Sequence, residues 1–465
     1  MATNSSKFFT PHSVFITSVD GVSFDLTSAV GAFSYYEDIY KPFISASMVV
    51  MDSGQNFIGT LPIQGGEIVT FKLENVKKQL VTYEFCVYKV YNRQVMSNKQ
   101  TYCLAMLSKE AMINEKTRCL QKQKDLPDQI VRKILTEDLG VKADNIITET
   151  SKFKINMFHN GRKPHAVIQS LMARCVPKSA KFRKGGGVSD AKPSGELGTN
   201  ATKSSGTAGY LFFQNKDGFV FESMDRLCSD GTDTFGGKPP IAEYYSRPAV
   251  DSITESSFNT IEFYKFIDEI DIMDKMNNGI YSTHMCYFDL AAQKYEEYNY
   301  NMKETFDTMS HLGSQIDVPK FQKELSSKPS RVMTILLDSE MWYDGAGIAN
   351  PEEDGDAEFP DFAKYYTAQA IGRRYLMENQ KLEIMIPGNS DLKVGDKVKV
   401  MLPNVSAEAL RNSSQYDEEN SGTYLIAQLS HNYQLVKESG EPEFTTMVNL
   451  IRDTYGMKEY DSNVK

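Results

Sequence analysis

Gly66-Glu67-Ile68-Val69-Thr70-Phe71 is a glycine, an acid and then a run of β-branched and aromatic residues, the composition of a strand entered through a turn. Near the other end of the chain, Gly395-Asp396-Lys397-Val398-Lys399-Val400 repeats the pattern. The echo continues downstream. Each stretch is followed by a strand carrying aromatics (Tyr83 to Tyr91; Tyr424 to Tyr433) and then by a Thr-led apolar strand (Thr101 to Leu107; Thr445 to Leu450). Any small barrel can place Gly-Asp or Gly-Glu before a strand. Three matching elements in one order nevertheless suggest one β unit used twice, near each end.

Working outward, the first β region has further short strand candidates. Ser13-Val-Phe-Ile-Thr-Ser-Val-Asp20 closes on the turn Asp20-Gly21, and Phe43-Ile-Ser-Ala-Ser-Met-Val-Val50 ends near Gly54. Five or six such runs separated by turn residues predict a small barrel or sandwich. Between residues 110 and 180 the period changes. Ile130, Val131, Ile134 and Leu135 have helical spacing, and Pro164 opens a second helical run to Arg174. Residues 181–209 are rich in Gly, Ser, Lys and Thr and read as a flexible loop. Tyr210 to Phe221 then reads as a hairpin around Lys216-Asp217-Gly218. Gly279 to Leu290 reads as a strand, 301–362 as polar and irregular with an acidic run from Glu352 to Asp361, and Tyr365 to Met377 as a helix. The expected fold class is α+β, mostly β: two tube-like antiparallel β-barrels with helical and mixed insertion domains. The expected division is 1–112 (first barrel), 113–245 (α/β insertion including loop 181–209), 246–364 (mixed insertion with the acidic segment) and 365–465 (second barrel, recruiting strands from 210–300).

A chain of 465 residues exceeds the ~250–300 at which single cores stop growing, which fits several domains. Its net charge of -10 argues against a sequence-reading nucleic-acid binder, which carries a basic patch. The six cysteines are scattered and form no C-x-x-C pair, so reduced, mostly buried thiols are expected rather than a disulfide scaffold. No run of ~18 apolar residues occurs and the start lacks a basic stretch followed by an apolar one, so neither a membrane span nor a signal peptide is expected.

Motifs that carry chemistry are missing. There is no G-x-x-x-x-G-K-[ST], H-E-x-x-H or G-x-S-x-G. None of His12, His159, His165, His284, His311 and His431 stands at i, i+4 with another, so all six are expected at the surface or satisfied in a core. Gly185-Gly186-Gly187 and Gly345-Ala-Gly347 lack a preceding strand and read as linker, and Glu352-Glu-Asp-Gly-Asp356 lacks the order of a calcium loop. No catalytic residue, cofactor or metal site is expected. The candidates that remain belong to Phe33-Ser-Tyr-Tyr-Glu-Asp-Ile-Tyr-Lys-Pro42. Tyr35, Tyr36, Glu37, Asp38 and Tyr40 are candidate protein–protein contacts, because tyrosine joins an apolar body to a polar tip. A strand sends alternate residues to opposite faces, so about half of these aromatics are expected inside.

Ser34-Tyr-Tyr-Glu-Asp-Ile-Tyr-Lys-Pro-Phe-Ile44 followed by Leu61-Pro-Ile-Gln-Gly-Gly-Glu67 resembles the N-terminal barrel of baseplate hub proteins of contractile-tailed bacteriophages. Lys163 to Arg174, Tyr210 to Phe221, and Gly422-Thr-Tyr-Leu-Ile with Phe444-Thr-Thr-Met resemble the same family in order; 301–362 and 181–209 match nothing in it. The resemblance implies a structural protein of the virion tail baseplate, assembled in the host cytoplasm. It implies a homotrimer whose partners are the central spike protein, the tail tube protein or tube initiator and other baseplate proteins, with DNA only in passage. Two other classes compete: a hub-associated cell-wall hydrolase, with 301–362 as its place, and a carbohydrate-binding tail module, for which Trp342 is the single tryptophan.

Overall fold

The computed structural model describes residues 11–54, 56–61, 63–74, 80–180, 207–246, 258–268, 271–290, 293–306, 309–314, 328–337, 362–404, 416–435 and 442–457. Most of the expected loop 181–209, the acidic run Glu352–Asp361, both glycine stretches and Trp342 lie outside them.

The first β region gives β1 (Pro11–Thr17), β2 (Ser23–Asp25), β3 (Val30–Asp38), β4 (Ser45–Asp52), β5 (Ile68–Glu74), β6 (Leu80–Met96) and β7 (Lys99–Leu107). Along β4 the environment alternates: Ala46, Met48 and Val50 are buried, while Ser45, Ser47 and Val49 are half-buried and Met51 is exposed. The insertion contributes β8 (Lys122–Asp125), β9 (Ile146–Thr148), β10 (Ile155–Phe158), β11 (Tyr210–Asn215) and β12 (Gly218–Ser223), with helices Pro127–Lys133 and Pro164–Met172. Ile130, Val131, Ile134, Leu135, Val167, Ile168 and Leu171 form its own core, as their helical spacing requires.

β11 is buried on both faces, which explains its run of apolar residues. Leu211 and Phe213 enter the core of the large sheet, while Tyr210 and Phe212 enter the core of the insertion. The hairpin therefore joins two cores.

Strands β13 (Ala242–Tyr245) and β14 (Phe263–Asp268) precede a second insertion of β15 (Ser282–Asp289), β16 (Lys294–Asn301) and β17 (Arg331–Leu337). In sequence, 301–362 reads as polar and irregular. Arg-Val-Met-Thr-Ile-Leu-Leu instead pairs in parallel with β15, because its β-branched and apolar residues place Met333 and Ile335 against Met285 and Tyr287. Helix Phe362–Met377 follows, then β18 (Gln380–Pro387), β19 (Lys397–Met401), β20 (Gly422–Leu435) and β21 (Pro442–Arg452). The class is α+β, mostly β.

The two β regions do not stand as separate barrels. Among the described residues they form one open, 13-stranded sheet, in the order β14-β18-β21-β20-β3-β4-β7-β6-β5-β1-β2, with β19 on β20 and β13 on β19. A single hydrophobic cluster runs from Val14 to Ile451 beneath it.

Within this sheet the two units match strand for strand and in chain order. β3, β4, β7, β6 and β5 are neighbours in the first; β14, β18, β21, β20 and β19 are neighbours in the second. The correspondence extends to single hydrogen bonds. Gly66 N–H donates to the Val87 carbonyl (2.8 Å) and Val87 N–H to Glu67 (2.9 Å); Gly395 N–H donates to Ile426 (3.1 Å) and Ile426 N–H to Asp396 (2.9 Å). Directly after Val87 and after Ile426, β6 and β20 each carry a bulge. The sixth pair departs: β1 lies antiparallel to β5, whereas β13 lies parallel to β19.

Both glycines of the echo have a conformational reason, with φ at +102° for Gly66 and +89° for Gly395. They differ in surroundings. A Cβ at Gly66 meets nothing nearer than Val19 at 3.6 Å, but one at Gly395 lies 2.8 Å from the Phe213 ring. Gly66→Ala is expected to cost about 1–2 kcal/mol from the backbone alone. Gly395→Ala adds roughly another 0.5–1.5 for a displaced Phe213. Denaturant midpoints of the two variants check the order, and equal losses would contradict it.

Candidate interface site

The Tyr-rich stretch lies on β3, where the two β units meet. β3 pairs antiparallel with the second half of β20, from Gln428 opposite Asp38 to Gln434 opposite Ala32. The Ile39 N–H adds a bond to the carbonyl of Ala427, the bulge residue of β20 (2.8 Å).

Alternation divides the five candidates. Tyr35 and Glu37 point inward and are buried; Tyr36 points outward and is exposed. The Tyr35 ring lies 4.8 Å from Tyr83 and is stacked 5.7 Å from His431, so it bridges the units. Asp38 is buried and accepts from Gln428 Nε2 across the seam (3.1 Å) and from the Tyr40 N–H (2.9 Å). Tyr40 is partly buried, with the Arg374 guanidinium 4.9 Å above its ring.

Glu37 organises the seam. Its Oε1 accepts from Tyr35 Oη (2.5 Å) and the Lys216 N–H (2.6 Å), and its Oε2 accepts from the Val394 N–H (2.7 Å). Three distant parts of the chain thus close on one carboxyl: β3, the β11–β12 turn and the approach to β19. Burial pushes this carboxyl up to about 7, against hydrogen bonds from Tyr35, Val394 and Lys216 that favour the charged form. Lys216 Nζ donates to the Ser390 (2.7 Å) and Asp391 (2.6 Å) carbonyls, Asn215 donates to the Val394 carbonyl (3.1 Å), and Lys393 pairs with Asp217. The hairpin is a wedge held to both units.

No sequence motif marks Lys216, Val394, Gln428 or His431 for the seam. Their residue types carried no signal of it, and only the pairing of β3 with β20 brings them together. His431 is buried, with Nδ1 3.0 Å from Thr446 Oγ1, and burial lowers its pKa to about 3. His159 and His165 are likewise buried.

A second polar constellation lies beneath helix Phe362–Met377. Arg373 is fully buried; its guanidinium meets Asp453 Oδ2 at 2.6 Å and the Ser310 carbonyl at 2.5 Å, with Asp225 at 3.8 Å. Burial alone would raise the Asp453 carboxyl, but Arg373 and His311 hold it well below the usual carboxylate range. Ser310, His311 and Asp453 are the residue types of a hydrolytic triad, and the geometry denies that use. His311 Nδ1 faces Asp453 (2.7 Å), Nε2 faces the Phe306 carbonyl (2.8 Å), and Ser310 Oγ donates to Asp233 (2.8 Å). No ring nitrogen is left to take a proton from the serine. The cluster clamps four segments together, those of Asp225 and Asp233, of Ser310 and His311, of Arg373 and of Asp453. Among the described residues no group of three His, Cys, Asp or Glu could hold a metal, and no helix is long and apolar enough to cross a membrane.

No protein-family model and no curated protein matches the chain. Solved structures do. The prophage MuSo2 43 kDa tail protein from Shewanella oneidensis aligns with a TM-score of 0.51 at 8% identity, over 95% of this chain and 98% of that one. The tail protein from Neisseria meningitidis MC58 aligns with a TM-score of 0.50 at 10% identity, over 95% and 96%. The fold is therefore that of phage tail proteins.

Proposed function

We propose that this chain is the structural hub of a contractile-tail baseplate, a homotrimeric ring that adapts a sixfold tail tube to a threefold central spike and lines part of the DNA ejection channel. The observation that carries this reading is the strand-for-strand correspondence of two β units in one chain. Three such chains present six similar units to a sixfold tube while keeping threefold symmetry toward a spike. The shared fold with tail proteins supports the setting. A net charge of -10 suits a surface past which DNA slides without sticking. In this reading 1–112 and 365–465 supply the tube-like units, the latter joined by β13 and β14, while 113–245 and 246–364 are insertions facing other baseplate proteins. The outward Tyr36 belongs to a contact with a tube protein or neighbouring subunit. The protein acts in the virion after assembly in the host cytoplasm.

Native mass measurement is expected to give three copies, alone or on the spike protein, and tail images are expected to show threefold-related density beneath the tube. A monomer that never joins a spike, or clear muramidase turnover by the purified chain, would overturn the hub role.

A further inference from the structure

The seam between β3 and β20 joins the outer strand of one unit to the long strand of the other. Each unit has both parts, yet among the described residues only one such seam exists within the chain. The counterpart of β3 in the second unit is β14, and the counterpart of the far half of β20 is the far half of β6. Among the described residues, β14 pairs only with β18, and β6 beyond Val87 pairs only with β7. Among the described residues these are two unused, complementary edges.

We propose that the β14 edge of one copy pairs antiparallel with the far half of β6 in the next copy, repeating between chains the seam that β3 and β20 make within one. The correspondence sets the register at one position, beside bulges that β3 and β20 lack there: Ile267 on β14, and Asn92 with Arg93 on β6. Ser430 and Tyr91 occupy the same position, since they face Met447 of β21 and Cys103 of β7 respectively. Tyr36 and Asp268 also correspond, facing Ser45 of β4 and Lys381 of β18. Within the chain Ser430 lies opposite Tyr36; between chains Tyr91 then lies opposite Asp268.

The surface chemistry supports an occupant. Leu429, Tyr433 and Tyr35 are buried in the internal seam, whereas the open edges leave apolar residues in water: Val95 is 65% exposed, Met96 72%, Phe263 48% and Ile267 43%. Apolar, unpaired edges invite strand addition, and native chains cover them. The occupant is a second copy because β14 and β6 are each other's partner in the pattern. The contact is heterologous, edge to different edge, so it propagates head to tail and must close into a ring or run on as a fibre. This inference deepens the hub reading by naming the contact that would close its ring.

The test combines Tyr91→Cys and Asp268→Cys in one chain, with Cys103→Ser because Cys103 lies opposite Tyr91 on β7, followed by mild oxidation. Directly opposed residues of an antiparallel pair lie about 4.5–5.5 Å apart between Cα atoms, within disulfide reach. The expected result is covalent linkage between chains that ends at one closed size, absent from either single variant. Linkage should fall several-fold when Lys265→Cys replaces Asp268→Cys, because three residues along a strand is about 10 Å. Ile267→Asp, at a position already exposed in one chain, is expected to raise the concentration needed for association at least tenfold while leaving the circular dichroism unchanged. A native oligomer without the specific linkage overturns the edge pairing and leaves the hub reading standing. A chain that stays monomeric, and joins no spike, overturns both.

Discussion

Asp453→Ala is expected to cost about 3–5 kcal/mol, read as a lowered guanidinium midpoint, because it leaves the fully buried Arg373 guanidinium without its nearest counter-charge. The same substitution strips acceptors from His311 Nδ1 and the Leu312 N–H, at 2.7 and 2.9 Å. Asp225 cannot substitute for it at 3.8 Å while already accepting from Thr207 and Ser310. Replacing both partners, as Arg373→Met with Asp453→Leu, is expected to cost less than Asp453→Ala alone, since the Arg373 charge then leaves together with its nearest partner, and Asp225 keeps its hydrogen bonds from Thr207 and Ser310. Additive losses across this cycle would show that the two side chains do not act as a pair.

Glu37→Gln is expected to show a pH-dependent effect of similar size. At pH 4.5 the variant is less stable by about 1–3 kcal/mol, because an amide NH2 must face a backbone N–H of Lys216 or Val394 that the carboxyl satisfied. The deficit then shrinks as pH rises. A carboxyl raised on folding from 4.5 to about 7 holds its proton more tightly in the folded chain. Its stabilising contribution is complete below pH 4.5 and is lost as pH climbs through 7, a change of roughly 3 kcal/mol that glutamine does not share. The wild type alone hides this slope. Glu149, raised to about 7, acts in the same direction as Glu37. His165 and His431, lowered by burial to about 4 and 3, act oppositely and lose stability as pH falls below 6.5. The difference between variant and wild type across pH 4.5–8, measured by denaturant titration, isolates Glu37; a flat difference would sink the assignment.

What could be read from the residues follows from which forces are local. Runs of β-branched and apolar residues between turns marked β4 and β7, each of which has one face toward a core. The echo of Gly66-Glu67 in Gly395-Asp396 was visible because a positive φ restricts the residue type. Alternation also foretold that Tyr35 and Tyr36 would part. The partners of those residues were not visible. Asp38 and Gln428 meet across the whole span of the chain, and no periodicity encodes which strand edge another will choose. Two units were therefore legible, while their fusion into one open sheet was not. Arg373 had been placed in a helix, but nothing in Gly-Arg-Arg separates the buried Arg373 from the neighbouring Arg374. β17 is hidden in sequence because polar residues surround its short apolar run.

The β3–β20 seam also bears on how quickly and at what dilution an assembly can form. When two units share a chain, their contact is intramolecular and forms at an effective concentration on the order of millimolar or more, whatever the abundance of the protein. A closed ring of three chains with alternating seams would have half of them completed on folding. Its formation then depends on the third power of monomer concentration, where six separate units would demand the sixth. At low subunit counts that difference in reaction order would decide how early such a ring nucleates.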